Sequence, residues 1–320
     1  MSLSDNDIKP EEFAQVAAEA ITDAQSRSFR DAAQVLANAG LCGVCGPENA
    51  GGLELGIEFA LPIVAEAGRL RLQWPLLETI LIAKALGNSP LAAELVAGTR
   101  VATWALQGSL QEKFAGHARY AKDCDWVLVA DGQGGGALLD LSSVEVQKDE
   151  ALDPENPQSW LMLDNAKVLA ELDAATLASV QRDSHILIAG FVNGAAEGAL
   201  ATTADYMSTR VQFGRPLSAN QAVRHLLARM RLLQEASNAG VQRVISTDEF
   251  GDRRNTRPVL ANALASAAFV LEKAIHLHGG MGFTWELPLH YSLREIRKFD
   301  AAFGSGALAR QVGLDFIQSV

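Results

Sequence analysis

Apolar residues recur at helical spacing through roughly the first hundred positions of the chain. Phe13, Val16, Ala17, Ala20 and Ile21 fall on one face of a first helix. Gly51-Gly52 breaks the pattern before a second apolar run, Phe59 to Ala67, and Leu76 to Leu86 and Leu91 to Val96 follow. Gly87-Asn88-Ser89-Pro90 reads as a loop between the last two, with Ser89-Pro90 suited to opening the next helix. From about position 99 the period shortens. Val101–Leu106, Trp126–Ala130, Ala137–Leu141 and Trp160–Leu163 are short and strand-like. Gly132–Gly136 is a turn between the second and third runs, and Pro154 and Pro157 precede the fourth. Helical spacing returns over 175–208, 218–246, 257–277, 287–301 and 306–318. The pattern predicts a mainly α protein with a small β region: a helical domain over 1–98, a middle antiparallel β domain over 99–165, and a helical domain over 166–320.

Within 175–208, Gly190, Gly194 and Gly198 fall on one helical face. A helical glycine costs about 1 kcal/mol against alanine. The stripe therefore predicts that another helix, or a ligand, comes close at that face.

Composition narrows the classes. The chain is 48% hydrophobic and 20% charged, values that exclude disorder and collagen-like repeats. Its net charge of −11 argues against a nucleic-acid partner, although a local patch can still hold a phosphorylated cofactor. The start, Met1–Asp7, is polar and acidic and shows no secretory pattern. No run is read as long and apolar enough to span a bilayer, so a soluble, cytoplasmic protein without membrane partners is expected. The three cysteines, Cys42, Cys45 and Cys124, are no disulfide framework and fit a reducing compartment. Cys42 and Cys45 form a C-x-x-C pair with no second pair of ligands for zinc. A redox pair stays open, and two small apolar fillers is the favoured reading.

Two motifs carry chemistry. Arg210-Val211-Gln212-Phe213-Gly214-Arg215-Pro216-Leu217 lies between two long helices, with Asn220-Gln221 just beyond. Arg210 can grip a phosphate with two prongs, and Phe213 can pack on a flat ring. A plain interhelical loop is the competing reading. His276-Leu277-His278-Gly279-Gly280-Met281-Gly282-Phe283-Thr284-Trp285-Glu286 follows a helix, and its glycines permit close backbone approach. The two histidines are two apart and share no helical face, so no metal site is expected.

Together these motifs resemble those of the acyl-CoA dehydrogenase family. The run Leu36–Leu41 followed by Pro47–Leu53 is similar to that family's amino-terminal signature, and the order helical, small β, helical matches it. The resemblance implies an amino-terminal helical domain, a truncated central β domain and a carboxy-terminal four-helix bundle. It implies α,β-dehydrogenation of an acyl-CoA thioester, with FAD shared across a subunit interface and an electron-transfer flavoprotein as the acceptor of the assembled complex. It assigns Arg210, Gln212, Phe213, Gln221, His276, Gly279 and Gly280 to the clasp on the adenosine and pyrophosphate end of FAD. The family usually carries glutamine where His276 stands, and imidazole can still donate a hydrogen bond.

The chain departs from the family in two places. Alignment from Gly279-Gly280 through Pro288 and Arg294 brings the usual catalytic glutamate to Phe303, beside Gly304. Relatives that place the base on the preceding long helix would put it near Ser184, where Asp183 is the nearest carboxylate. Asp300 is a weaker candidate, and a solvated helix carboxylate is the plain reading of both. The family's Thr-Glu-Pro turn and Gly-x-Lys-x-Trp-Ile strand, which cradle the flavin ring, are missing. Here Trp104–Ser109 runs almost directly into His117–Ala121. The resemblance is therefore to the shorter, non-catalytic subunit of heteromeric bacterial members that act in lipid or steroid degradation, with a longer homologue as partner. An active homo-oligomer using Asp183, and a non-enzymatic protein that binds acyl-CoA or another protein, remain as alternatives.

Overall fold

The computed structural model describes residues 8–149, 153 and 156–319. Met1–Asp7 and Pro154, read above, lie outside the described residues. The chain divides into two compact units, one of Met1–Ala67 with Leu72–Leu187 and one of Gly68–Arg71 with Ile188–Val320.

The first unit opens with helices α1 (Glu12–Ala24) and α2 (Phe29–Asn38). Ser28 caps α2 by accepting from the Asp31 amide. α3 spans Ile57–Arg69, α4 Leu76–Leu86 and α5 Pro90–Val96, the last capped by Ser89 with proline in its first turn, as the sequence predicts. Nine residues of α4 are buried, which its nearly unbroken apolar sequence requires. Between α2 and α3 the backbone ties itself in a knot. Leu53 N donates to Gly43 O at 2.9 Å and Glu54 N to Gly46 O at 2.8 Å. A Cβ on Gly52 would stand 2.3 Å from Gly46 O, so only glycine fits. Cys42 and Cys45 are buried within this knot and Cys124 is buried elsewhere in the unit, all three as free thiols. Burial pushes the Cys42 and Cys45 thiols up to about 12 and raises Cys124 as well. Burial and a raised pKa fit the reading of Cys42 and Cys45 as apolar fillers.

Among the described residues seven strands follow: β1 (Ala102–Ser109), β2 (Phe114–Arg119), β3 (Trp126–Ala130), β4 (Gly136–Asp140), β5 (Glu145–Lys148), β6 (Gln158–Met162) and β7 (Lys167–Leu172). Their order in the sheet is β5-β6-β2-β1-β3-β4-β7. The wholly antiparallel sheet expected from the sequence is corrected to a mixed one, because β1 and β3 are parallel. β2 returns along one side of β1 and ends near its start. Residues 120–125 then cross to the other side, so that Trp126 pairs with Ala102 and β3 sets off in the direction of β1. Asp125 fastens that crossing. Its carboxylate accepts from Val101 N at 2.8 Å, from Arg100 at 3.0 Å and from Arg30 at 2.5 Å.

Burial acts to raise the Asp125 pKa, but the bonds from Arg30, Val101 and Arg100 outweigh it and hold the carboxyl below its usual range. A lowered folded-state pKa adds stability that is present above the unfolded pKa, about 3.9, and is lost as pH falls through the folded value. Asp125→Asn is expected to cost about 1.5–3 kcal/mol at pH 7. The gap between the melting curves of the variant and the parent should narrow steadily below about pH 4. A gap independent of pH would remove Asp125 from that role.

The second unit is helical. α6 (Ala174–Thr209), which belongs to this unit from Ile188 on, ends at a two-stranded hairpin, β8 (Val211–Gln212) with β9 (Arg215–Pro216), and α7 (Gln221–Ile245), α8 (Arg257–Leu277), α9 (Leu289–Ala302) and α10 (Ala307–Ser319) follow. α8 is the core helix: α7, α9 and α10 all pack on it, and Ala263, Ala267, Val270, Leu271 and Ala274 are fully buried. Asn193 ties α6 to α7. Its oxygen accepts from Ser237 at 2.8 Å, its amide donates to Asn238 at 2.9 Å, and its backbone carbonyl accepts from Gln234 at 2.7 Å.

Of the stripe glycines, Gly198 meets a close neighbour. A Cβ on Gly198 would meet Arg69 Cγ at 3.1 Å and Arg69 O at 3.2 Å. A Cβ on Gly68 would stand 1.9 Å from the Phe191 carbonyl oxygen. It is a helix end, and not a ligand, that comes close to Gly198. The sequence reading that no run could span a bilayer also needs correction. α6 and α8 are long and apolar enough by composition, and 78% and 61% of their most apolar windows are buried inside the fold. Packing accounts for their apolar character.

Candidate functional site

Both motifs are built on helix ends in the second unit. Where α6 stops, Arg210 N donates to Tyr206 O at 2.9 Å, and the chain turns back through Phe213-Gly214. Phe213 has φ 54° and Gly214 φ 79°. Two positive φ values at the central positions make the tight primed turn that suits a two-residue hairpin. For phenylalanine that conformation costs about 1–2 kcal/mol. The hairpin is closed by Leu217 N donating to Arg210 O at 2.9 Å, and Arg215 ties it to the start of α7 by donating to Asn220 Oδ1 at 2.8 Å. The result is an arm whose tip, Phe213, is 98% exposed. Arg210, Gln212 and Gln221, the first residue of α7, are exposed with it.

The second motif leaves the end of α8. His276 is exposed in the last turn of that helix, and His278 is buried at its cap. Gly279 and Gly280 are exposed, Gly279 has φ 60°, and a Cβ on either would meet nothing within 4 Å. This is open backbone that a flat or phosphorylated group can approach closely. Met281, Phe283 and Trp285 beyond it are 49%, 80% and 65% exposed. The ring of His278 stacks on that of Tyr206, with centroids 4.6 Å apart and planes at 16°. The structure therefore brings the starts of the two motifs close, although 58 residues separate the motifs in the chain. Sequence reasoning passed over Tyr206 and considered His278 only as a metal ligand. Their nearest sequence signal is position alone, Tyr206 just before the first motif and His278 within the second.

The candidate bases lie elsewhere. Phe303 caps α9, half-buried, with Gly304 N donating to Ala301 O at 2.9 Å beyond it. Asp300 accepts from Gly306 N at 3.0 Å at the same helix end. Asp183 belongs to the first unit and is not the solvated carboxylate of the plain reading. Its side chain is 4% exposed, with Lys84 Nζ at 2.6 Å from one oxygen and Arg182 Nη1 at 3.0 Å from the other. In the same unit β1 and β2 are joined by residues 110–113 alone, Ser109 pairing with Phe114 across the turn. Among the described residues no group of three or more histidine, cysteine or carboxylate side chains is arranged to hold a metal.

Residues 182–316 match the family model of the acyl-CoA dehydrogenase carboxy-terminal domain. That stretch of the chain is similar to the acyl-CoA dehydrogenase carboxy-terminal domain. Acyl-CoA dehydrogenase FadE34 of Mycobacterium tuberculosis is 28% identical over 299 residues, which cover 87% of this chain and 41% of FadE34. The chain thus spans less than half the length of that relative. The Tcur3481-Tcur3483 steroid ACAD structure is 25% identical with TM-score 0.83, covering 97% of this chain and 98% of that one. The ChsE4-ChsE5 complex from Mycobacterium tuberculosis has the same fold at 22% identity, with TM-score 0.83 and coverage of 98% and 99%. Both matches cover nearly all of the chain, so it shares their fold through the amino-terminal helices, the sheet and the carboxy-terminal helices.

Proposed function

We propose that this chain is the clasp-bearing, base-less subunit of a heteromeric acyl-CoA dehydrogenase. The observation that carries the reading is the exposed arm. A phenylalanine held in solvent in a costly backbone conformation, beside an exposed arginine, is intelligible if another subunit covers it. FAD, when bound, supplies the hydride acceptor for α,β-dehydrogenation of an acyl-CoA thioester. Arg210 would grip its pyrophosphate, Phe213 and Gln212 would pack and bond along it, and Gln221 and His276 would donate to it. Gly279 and Gly280 would let it lie on bare backbone, and the open space above them fits that use. The flavin ring is different. The tight β1–β2 turn offers no bed for it, and the family resemblance would put Phe303 where the usual base stands. A longer homologue would supply both, and an electron-transfer flavoprotein would reoxidise the assembled enzyme. Two ion pairs on Asp183 count against its service as a base in a homo-oligomer. The steroid and acyl-CoA names of the similar proteins support a lipid or steroid acyl-CoA as substrate. Three free buried thiols support a cytoplasmic, reducing setting.

The test is a visible absorption spectrum of the purified chain alone and after co-expression with a longer homologue. The expected result is no flavin bands alone and bands near roughly 370 and 450 nm in the complex, at one FAD per pair of chains. Flavin bands in the lone chain would overturn the half-site reading. In the complex, Arg210→Ala is expected to weaken FAD retention roughly 10- to 150-fold, the loss of a charge-assisted contact of about 1.5–3 kcal/mol. Unchanged retention would remove Arg210 from the clasp.

A further inference from the structure

The hairpin and the glycine loop leave the ends of two different helices, yet one contact fixes each against the other. Tyr206 sits in the last turn of α6, and its carbonyl accepts from the amide of Arg210 where the hairpin begins. His278 sits at the cap of α8, and its amide donates to Ala274 O at 3.2 Å immediately before Gly279. The two rings lie face to face at 4.6 Å. His278 is 5% exposed, and its Nδ1 is 2.8 Å from Ala274 O. A carbonyl can only accept, so Nδ1 carries a proton. Nε2 is buried and makes no hydrogen bond among the described residues. The imidazole is thus pinned at one edge by its own helix and contributes to the neighbouring helix through its face. The loop beyond is drawn back onto α8 as well, because a Cβ on Gly282 would fall 2.1 Å from Ile275 O.

We infer that His278 is a positioning residue. Through its stack on Tyr206 it holds the glycine loop in register with the Arg210–Pro216 hairpin, so that both halves of the clasp are presented preassembled. A surface ordered before its partner arrives avoids the entropic cost of ordering it on binding. The importance of this contact for FAD rests on the clasp reading above. The coupling between hairpin and loop does not.

Native-state hydrogen exchange on the full chain, without partner or FAD, tests it. An aromatic stack is worth roughly a 2- to 12-fold change in local opening. His278→Ala should speed exchange at the Arg210 and Leu217 amides by that factor and leave the middle of α7 unchanged. His278→Phe, which keeps a ring at the stack, should restore the protection. Tyr206→Leu is the reciprocal change and should speed exchange at Thr284, whose amide donates to Met281 O. It also serves if His278→Ala does not fold. Hairpin protection equal to the parent in His278→Ala, or loss spread evenly over α7 and α8 with no rescue by phenylalanine, would overturn the inference. Absence of FAD from the parent complex, with the exchange coupling intact, would sink the clasp reading and leave this inference standing.

Discussion

Arg119→Met is expected to destabilise the first unit by about 3–5 kcal/mol at pH 7. Arg119 on β2 pairs with Glu78 on α4 at 2.8 Å, and the two side chains are 7% and 4% exposed. The second oxygen of Glu78 is buried without a hydrogen bond among the described residues. Removing the guanidinium leaves a dry carboxylate with no compensating charge, which is far costlier than losing a surface pair. A loss of this size lowers a melting temperature by roughly 6–20 °C in a unit of 150–250 residues. The double change Glu78→Leu with Arg119→Met should recover most of it, since replacing both partners by apolar groups leaves no charge to solvate. If the single change melts within 2–3 °C of the parent, as judged on the per-kcal scale just given, the pair is not what holds α4 against the sheet.

Gly68→Ala is the second large effect, at least about 3 kcal/mol in the second unit. The new methyl would stand 1.9 Å from Phe191 O, 2.8 Å from its carbon and 3.1 Å from Ala195 N, all backbone atoms. A backbone clash cannot be relieved by turning a side chain, so the backbone at Gly68 must move away from that at Phe191. Gly198→Ala faces Arg69 at 3.1 Å and should cost clearly less. Chemical denaturation of both variants, with the order reversed, would show that the approach is set at Gly198 instead.

Those glycines show what the sequence could and could not reveal. The helical spacing that includes Gly198 predicts a close approach there, but nothing local marks Gly68, where the backbone carbonyl of Phe191 comes nearest. The helices were legible because their apolar period is local: the run expected over 175–208 is α6 at 174–209. β2, Phe-Ala-Gly-His-Ala-Arg, was not, since it has no β-branched residue and its stability comes from neighbours on both sides. β5 and β7 carry charges and lie at the sheet edges, where one side needs no apolar face. The β1–β3 parallel pair depends on which side of β1 residues 120–125 pass, and no local pattern encodes that. At the site, the hairpin and the glycine loop were legible as motifs. The stack of Tyr206 on His278 and the pairing of Lys84 with Asp183 join residues far apart in the chain, and only packing reveals them.

The buried cysteines give the first unit an internal clock. A thiol whose pKa is about 12 is thiolate only about once in ten thousand molecules at pH 8, and here it is also shut away from reagent. Alkylation must therefore wait for the fold to open. All three cysteines of the chain lie in the first unit, at 42, 45 and 124, and the helical unit that carries the clasp has none. The rate at which the unmodified protein takes up an alkylating reagent thus counts openings of one unit alone, with no engineered probe. Added to the assembled complex, the same reagent would report whether assembly with a partner steadies the half of the molecule that does not carry the clasp.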